Sequence, residues 1–359
     1  MTYLLFFAGL AALILGADLL VRGASRLALS VGISPLVVGL TVVAFGTSAP
    51  EVAVSVGAVL NGKTDMALGN VVGSNIFNVL FILGVSALIV PLVVNIQLIR
   101  QEVPIMLGAS LLLLLLSLDG RLSMNDGALL LVLLLAYTVF LVIQSRRESQ
   151  EANDEYTQEF AAKKPAAWMD RMWVQLVFIA LGLALLVLGS DWLVQAAVTI
   201  AKAMGVSDLV IALTIVAAGT SMPEVATSIT AAIKGERDIA VGNVVGSNTF
   251  NVLGCMGLAS LVSGQTGLVV PQAAINFDLW VMVAVALACV PVFMTGRVIA
   301  RWEGAVFLAY YVAYVTYLVL AAQQHGALGA FSTAMLSFVL PLTVITLVVL
   351  GLPKPSKLG

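Results

Sequence analysis

Apolar residues run through this chain in long blocks separated by short polar breaks. The blocks fall at 3 to 22, 33 to 60, 66 to 93, 103 to 118, 125 to 144, 173 to 194, 206 to 233, 239 to 262, 277 to 295, 304 to 321 and 331 to 352. Most are long enough to cross about 30 Å of hydrocarbon at about 1.5 Å per residue, so eleven transmembrane helices are predicted. The blocks at 33 to 60, 66 to 93 and 206 to 233 exceed what a span needs, which predicts tilt or interruption.

Composition gives the same class: 61% of the 359 residues are hydrophobic and 10% are charged, as in a polytopic membrane protein. Lys and Arg in short loops concentrate on the cytoplasmic side. With the N-terminus outside, fourteen of them lie inside and only Lys63, Arg121 and Lys202 outside. An N-out, C-in chain in the inner or plasma membrane is therefore expected. The first block has neither the basic flank nor the small-residue cleavage site of a signal peptide, so it is read as a span. Cys255 and Cys289 lie inside apolar blocks and read as small buried side chains, with no disulfide framework or metal site. His325 is the sole histidine and sits in a short loop, which removes histidine chemistry. No cofactor and no nucleic-acid partner are expected.

The polar residues inside the blocks repeat. At an offset of 173, GTSAPE (46 to 51) falls on GTSMPE (219 to 224), and GNVVGSNIFN (69 to 78) falls on GNVVGSNTFN (242 to 251). Gly16, Asp18 and Thr41 fall on Gly189, Asp191 and Thr214. Five crossings separate Glu51 from Glu224, so the two copies are expected to run in opposite directions, as inverted-topology repeats that meet near the membrane midplane. The fold expected is all-α, with five-helix units over 1–144 and 173–322. A cytoplasmic linker at 145–172 joins them, and 323–359 supplies an accessory C-terminal helix.

Proline lacks an amide proton, so Pro50 releases the carbonyl of Gly46 and Pro223 that of Gly219, opening each helix. Non-helical backbone at membrane depth must be buried in protein or line a cavity. An ionised carboxylate there is costly, and two placed by symmetry at one depth repel. A cation shared by Glu51 and Glu224 relieves both problems. The other groups available are all oxygen donors: the hydroxyls of Thr47, Ser48, Thr220, Ser221, Ser74 and Ser247, and the amides of Asn75, Asn78, Asn248 and Asn251. That set suits a hard cation, Ca²⁺ above all, rather than zinc or copper. Two glutamates neutralise one Ca²⁺, two Na⁺ or two protons, which is the basis of an exchange. The small-xxx-small spacing of Gly69 with Gly73 and of Gly242 with Gly246 predicts close helix approach. The Gly-Ser-Asn that follows is expected to interrupt the helix and turn its oxygens inward.

At these residues the chain resembles the Ca²⁺/cation antiporter superfamily, most closely the prokaryotic sodium/calcium exchanger-like membrane proteins, over roughly 1 to 322. The resemblance implies that Glu51 and Glu224 bind both Ca²⁺ and Na⁺, with the backbone carbonyls of Thr47 and Thr220 on Ca²⁺. It implies Na⁺ sites completed by Ser48, Ser221, Ser74 and Ser247 with the carbonyls of Ala44 and Ala217, and Asn78 and Asn251 lining a central position. Ten core helices, gated by the first helix of each repeat, belong to the same implication, and an eleventh departs from it. So does Asn at both 78 and 251, since many of these exchangers carry Asp at one of them.

Among other polar residues, Asp18 is placed to pair with Arg22 one helical turn on, and Asp191 faces Gln195. Trp168, Trp173 and Trp302 read as interfacial anchors. Glu102, Asp278 and Glu303 lie at block edges and are expected to be solvated. The function expected is secondary Ca²⁺ antiport driven by Na⁺, with H⁺ as the alternative driving ion and a passive cation channel as a second alternative. An intramembrane hydrolase is disfavoured, because no GxGD-like aspartyl pair, Ser/His dyad or HExxH is present.

Overall fold

The structure, a computed structural model, describes residues 2–160, 171–204, 215 and 217–351, with side chains described outside 146–160, 217 and 347–351. Helix α1 (Thr2–Val31) is followed by α2 (Pro35–Thr47) and α3 (Ala49–Leu60), two halves of one span bent by 43°. Next come α4 (Thr64–Ile89), α5 (Leu98–Ser117) and α6 (Met124–Phe160), then α7 (Met172–Ala203), α8 (Met222–Lys234) and α9 (Arg237–Val262). The chain continues through α10 (Ala274–Met294), α11 (Arg301–Ala322) and α12 (Leu328–Thr346). Among the described residues nine helices are long and apolar enough to cross a bilayer, and the bent pair makes a tenth. The remaining expected span, 206 to 233, lies partly outside the described residues, as do Thr214, Trp168 and the basic residues Lys163, Lys164, Lys354 and Lys357.

The expected interruption of 33 to 60 falls at Ser48, whose backbone (φ −84°, ψ 7°) leaves the helix; Ser221 does the same (φ −88°, ψ 9°). Pro50 and Pro223 then occupy the first turn of the following helix, where a missing N–H costs nothing. The expected break at Gly-Ser-Asn is not found. Both α4 and α9 pass through it unbroken, and a π-helical turn begins instead at Asn78 and at Asn251. Such a turn reorients side chains without exposing backbone to lipid, and π-bulges are common at functional sites. Helix α6 runs on past the membrane-length stretch into the expected linker, as far as Phe160. Residues 146–160 are rich in Glu, with Gln and Arg and no Gly or Pro, so the helix has no reason to stop.

Helices α1 and α7 make the most extensive contact among the described elements. A Cβ on Gly9 would lie 2.8 Å from the carbonyl oxygen of Gly189, one on Gly16 2.8 Å from that of Gly182, and one on Gly23 2.9 Å from that of Gln175. The register therefore runs antiparallel, with backbones in direct contact. Helix α9 is the most buried span, and α2 lies against it through Gly242 and Gly246. A Cβ on Gly246 would meet the Leu40 carbonyl at 2.6 Å. Two short ladders, Leu92–Val93 with Val298–Ile299 and Arg121–Leu122 with Leu268–Val269, each join the first half of the chain to the second. Large apolar side chains such as Phe7, Val132, Leu135, Leu336 and Phe338 face outward and form the lipid-facing surface.

Three carboxylates expected at solvated edges are bonded in place. Glu102 is buried at the start of α5 and accepts from Gln97 (3.0 Å), Gln101 (2.8 Å) and Tyr137 (2.7 Å). Glu303 is buried and caps the backbone N–H of Ala300 at 2.8 Å, while half-buried Asp278 accepts from Tyr314 at 2.9 Å. The α5–α6 and α10–α11 hairpins fold a tyrosine over Glu102 and Asp278 respectively, which sequence position alone does not reveal. Cys255 and Cys289 are buried free thiols. Asp18 pairs with Arg22 at 2.8 Å and also with Lys234, whereas Asp191 accepts from Gln195 at 2.8 Å.

Candidate cation site

Glu51 and Glu224 are both fully buried, each in the third position of the half-helix that follows a break. The N-terminal end of a helix favours a carboxylate through its dipole and unpaired N–H groups. A serine preceding a helix ordinarily caps it by accepting a backbone N–H. Ser48 and Ser221 make no such bond. Their hydroxyls cross to the other half of the molecule: Ser48 donates to Glu224 Oε1 and Ser221 donates to Glu51 Oε1, each at 2.9 Å. Ser221 also lies 3.1 Å from the hydroxyl of Ser74.

Thr47, fully buried, donates to Asn243 Oδ1 at 3.1 Å, and half-buried Thr220 to Asn70 Oδ1 at 3.3 Å. The amide nitrogens of these asparagines are held in turn. Asn243 donates to Ser228 at 2.9 Å; Asn70 donates to Ser55 at 3.0 Å and to the Glu51 carbonyl at 3.3 Å. The serine–glutamate and threonine–asparagine cross-connections recur at the offset of 173, so the two halves exchange these hydrogen bonds reciprocally, whereas the Ser221–Ser74 contact has no counterpart at Ser247.

Asn78, buried, donates to Asn248 Oδ1 at 3.0 Å, and Asn248 donates to the Asn75 carbonyl at 3.1 Å. The oxygen of Asn251 accepts the Cys255 thiol at 3.5 Å, and its amide nitrogen has no partner. The two central asparagines therefore differ: Asn78 presents an unpartnered oxygen and Asn251 an unpartnered nitrogen. Five buried side-chain oxygens of the residues named here have no hydrogen-bond partner, namely Glu51 Oε2, Glu224 Oε2, Asn75 Oδ1, Asn78 Oδ1 and Ser247 Oγ. Among the described residues no group of three or more His, Cys, Asp or Glu comes together, so acidity here is limited to the glutamate pair.

The backbone carbonyls are less alike than the repeat implied. Ala44 O accepts the helical N–H of Ser48 at 3.0 Å and lies 3.4 Å from the Thr47 hydroxyl. The carbonyl of Gly219, freed by Pro223, does not wait for a cation but accepts the Ser190 hydroxyl at 2.6 Å. The position equivalent to Ser190 is Ala17, which has no donor. Ala217 has helical backbone and an undescribed side chain.

Four residues of the network were not singled out by motif: Asn70, Asn243, Ser55 and Ser228. Helical spacing carries the signal, since Asn70, Ser74 and Asn78 stand four apart on one face and Ser55 stands one turn after Glu51.

The profile of the sodium/calcium exchanger protein family matches residues 1–143 and 174–320. MaX1 of Methanosarcina acetivorans, a sodium/calcium exchanger, is 32% identical over 345 residues, 88% of this chain and 98% of MaX1. YrbG of Escherichia coli, an inner membrane protein, is 38% identical over 201 residues, 55% of this chain and 61% of YrbG. Among solved structures, the sodium-calcium exchanger NCX_Mj soaked with 10 mM Na⁺ and 10 mM Sr²⁺ matches with a TM-score of 0.74 at 31% identity, covering 88% of this chain and 97% of that chain. With that profile on both halves and that fold around a buried, oxygen-lined glutamate pair, the chain belongs to the sodium/calcium exchanger family of the Ca²⁺/cation antiporter superfamily: a multi-pass membrane transporter, not an enzyme.

Proposed function

We propose that the chain exchanges Ca²⁺ for Na⁺ by alternating access, both ions competing for Glu51 and Glu224. The observation that carries this reading is the set of buried oxygens without hydrogen-bond partners on Glu51, Glu224, Asn78 and Ser247. Unpaired buried oxygens are costly, and a hard cation satisfies several at once. Ca²⁺ would take the two carboxylates with the carbonyls of Thr47 and Thr220. Na⁺ would take the same carboxylates with Ser48, Ser221, Ser74, Ser247 and the carbonyls of Ala44 and Ala217, drawing the serine hydroxyls off the acids they now bond. Asn78 and Asn251 would line the centre, unequally.

Alternating access needs one body to move against another. The antiparallel α1–α7 pair is the candidate, since its glycine-lined contact makes it a unit. The reciprocal exchange of strands and hydrogen bonds between halves supports inverted repeats over 1–144 and 173–322, with 323–359 accessory. The N-terminus outside and the C-terminus inside follow from the distribution of Lys and Arg.

Reconstituted vesicles test this reading. ⁴⁵Ca²⁺ uptake into Na⁺-loaded vesicles is expected to collapse when the Na⁺ gradient is dissipated and to persist when a proton gradient is dissipated. The opposite dependence would assign H⁺ as the driving ion, and uptake without any trans ion would identify a channel.

A further inference from the structure

The asparagines at 70 and 243 touch neither carboxylate side chain, yet both are tied into the ion cluster from the opposite half of the molecule. Asn243 shows what this does. A hydroxyl carries one hydrogen, and Thr47 has two acceptors within reach: Asn243 Oδ1 at 3.1 Å and the Ala44 carbonyl at 3.4 Å. Helical threonines elsewhere in this protein turn their hydroxyls back onto the carbonyl four residues earlier, at 2.6 Å for Thr41, 2.8 Å for Thr199, 2.9 Å for Thr138 and 3.1 Å for Thr249. Thr47 is pulled away from that habit. Asn243 is oriented to do the pulling, because its amide nitrogen is fixed on Ser228, one turn after Glu224 in the other half.

We propose that Asn243 is a positioning residue for Na⁺: by accepting the Thr47 hydroxyl proton, it leaves the second lone pair of the Ala44 carbonyl open to the ion. This rests on the Na⁺ role proposed above for Ala44. Asn70 makes the matching contact with Thr220 across the pseudo-twofold relation, so both broken helices have their last hydroxyl before the break held by the opposite half. The class of ligand affected is the monovalent cation. Ca²⁺, proposed to use the carbonyl of Thr47 rather than that of Ala44, should feel the change less.

The experiment measures Na⁺-driven ⁴⁵Ca²⁺ uptake and, without Na⁺, Ca²⁺–Ca²⁺ exchange in vesicles, for wild type, Asn243→Ala, Thr47→Val and the double variant. Asn243→Ala should raise the half-saturating Na⁺ concentration about threefold to tenfold, the scale of one hydrogen bond, and move half-saturation for Ca²⁺ less than about twofold. The double variant should match Thr47→Val within about twofold, because no hydroxyl remains to be held. Asn243→Ser is too short to reach Thr47 and carries the same prediction if the alanine variant does not fold. An unchanged Na⁺ half-saturation, equal shifts for both ions, or multiplying effects in the double variant would overturn the proposal. Absence of any Na⁺-driven uptake in the wild type would instead overturn the exchanger reading on which it rests.

Discussion

The hydroxyl of Ser221 stands 2.9 Å from Glu51, and that of Ser48, at the equivalent position of the other half, stands at the same distance from Glu224. Each acid is thus served by the helix break of the opposite half. A cation entering the cluster must take these hydroxyls as ligands or displace them. Replacing either serine with alanine is expected to raise half-saturation for Na⁺ by about fivefold or more, the scale of one lost polar contact, with a smaller effect on Ca²⁺. Na⁺ and Ca²⁺ titrations of vesicle flux measure both; an equal effect on the two ions would contradict the assignment.

Glutamine in place of Glu51 or Glu224 keeps the shape of the buried side chain and removes its charge. Since Ca²⁺ requires both charges to be balanced in a low-dielectric site, either substitution is expected to reduce ⁴⁵Ca²⁺ flux to background. Retained transport in both variants would remove the glutamate pair from the mechanism.

At its glycines the seam between α1 and α7 admits no side chain. Alanine at Gly16 or Gly182 would place a methyl group 2.8 Å from a backbone oxygen of the facing helix, so each is expected to destabilise the protein by about 1–3 kcal/mol and to slow exchange. At exposed Gly108, in contrast, a Cβ meets nothing within 4 Å among the described residues. Alanine there is expected to be neutral or to stabilise by up to about 1 kcal/mol. Thermal melting in detergent distinguishes the two classes.

Tyr137 and Tyr314 each close a helix hairpin by donating to a carboxylate, at 2.7 Å to Glu102 and 2.9 Å to Asp278. Phenylalanine at either position is expected to cost about 1 kcal/mol of stability while leaving the half-saturation constants for Ca²⁺ and Na⁺ in place, because neither tyrosine takes part in the ion cluster. Melting temperature and flux titrations on the same preparations check both halves of that statement.

Much of this was legible in the chain because polar residues are expensive in hydrocarbon and therefore conspicuous there. Apolar blocks gave the spans, Pro50 and Pro223 marked the two helix breaks, and Glu51 with Glu224 announced the cluster. What stayed hidden had physical causes. The halves drift from an offset of 173 to 176 and 177 beyond the shared motifs, so the equivalence of Glu102 and Tyr137 with Asp278 and Tyr314 emerges only when the hairpins are folded. Neither π-turn contains a proline to betray it, and Gly254 in the second has no glycine counterpart in the first. Asn70 and Asn243 sit in motifs whose serines and later asparagines draw attention first, and only the helical face they share connects them to the site.

The most direct measurement is anomalous diffraction from crystals of this protein containing Sr²⁺, which stands in for Ca²⁺ and scatters anomalously. A single strong peak between the carboxylates of Glu51 and Glu224, weakening as Na⁺ is raised, is the predicted result. A divalent ion bound elsewhere in the membrane region, or one whose occupancy is indifferent to Na⁺, would contradict a shared site for competing ions.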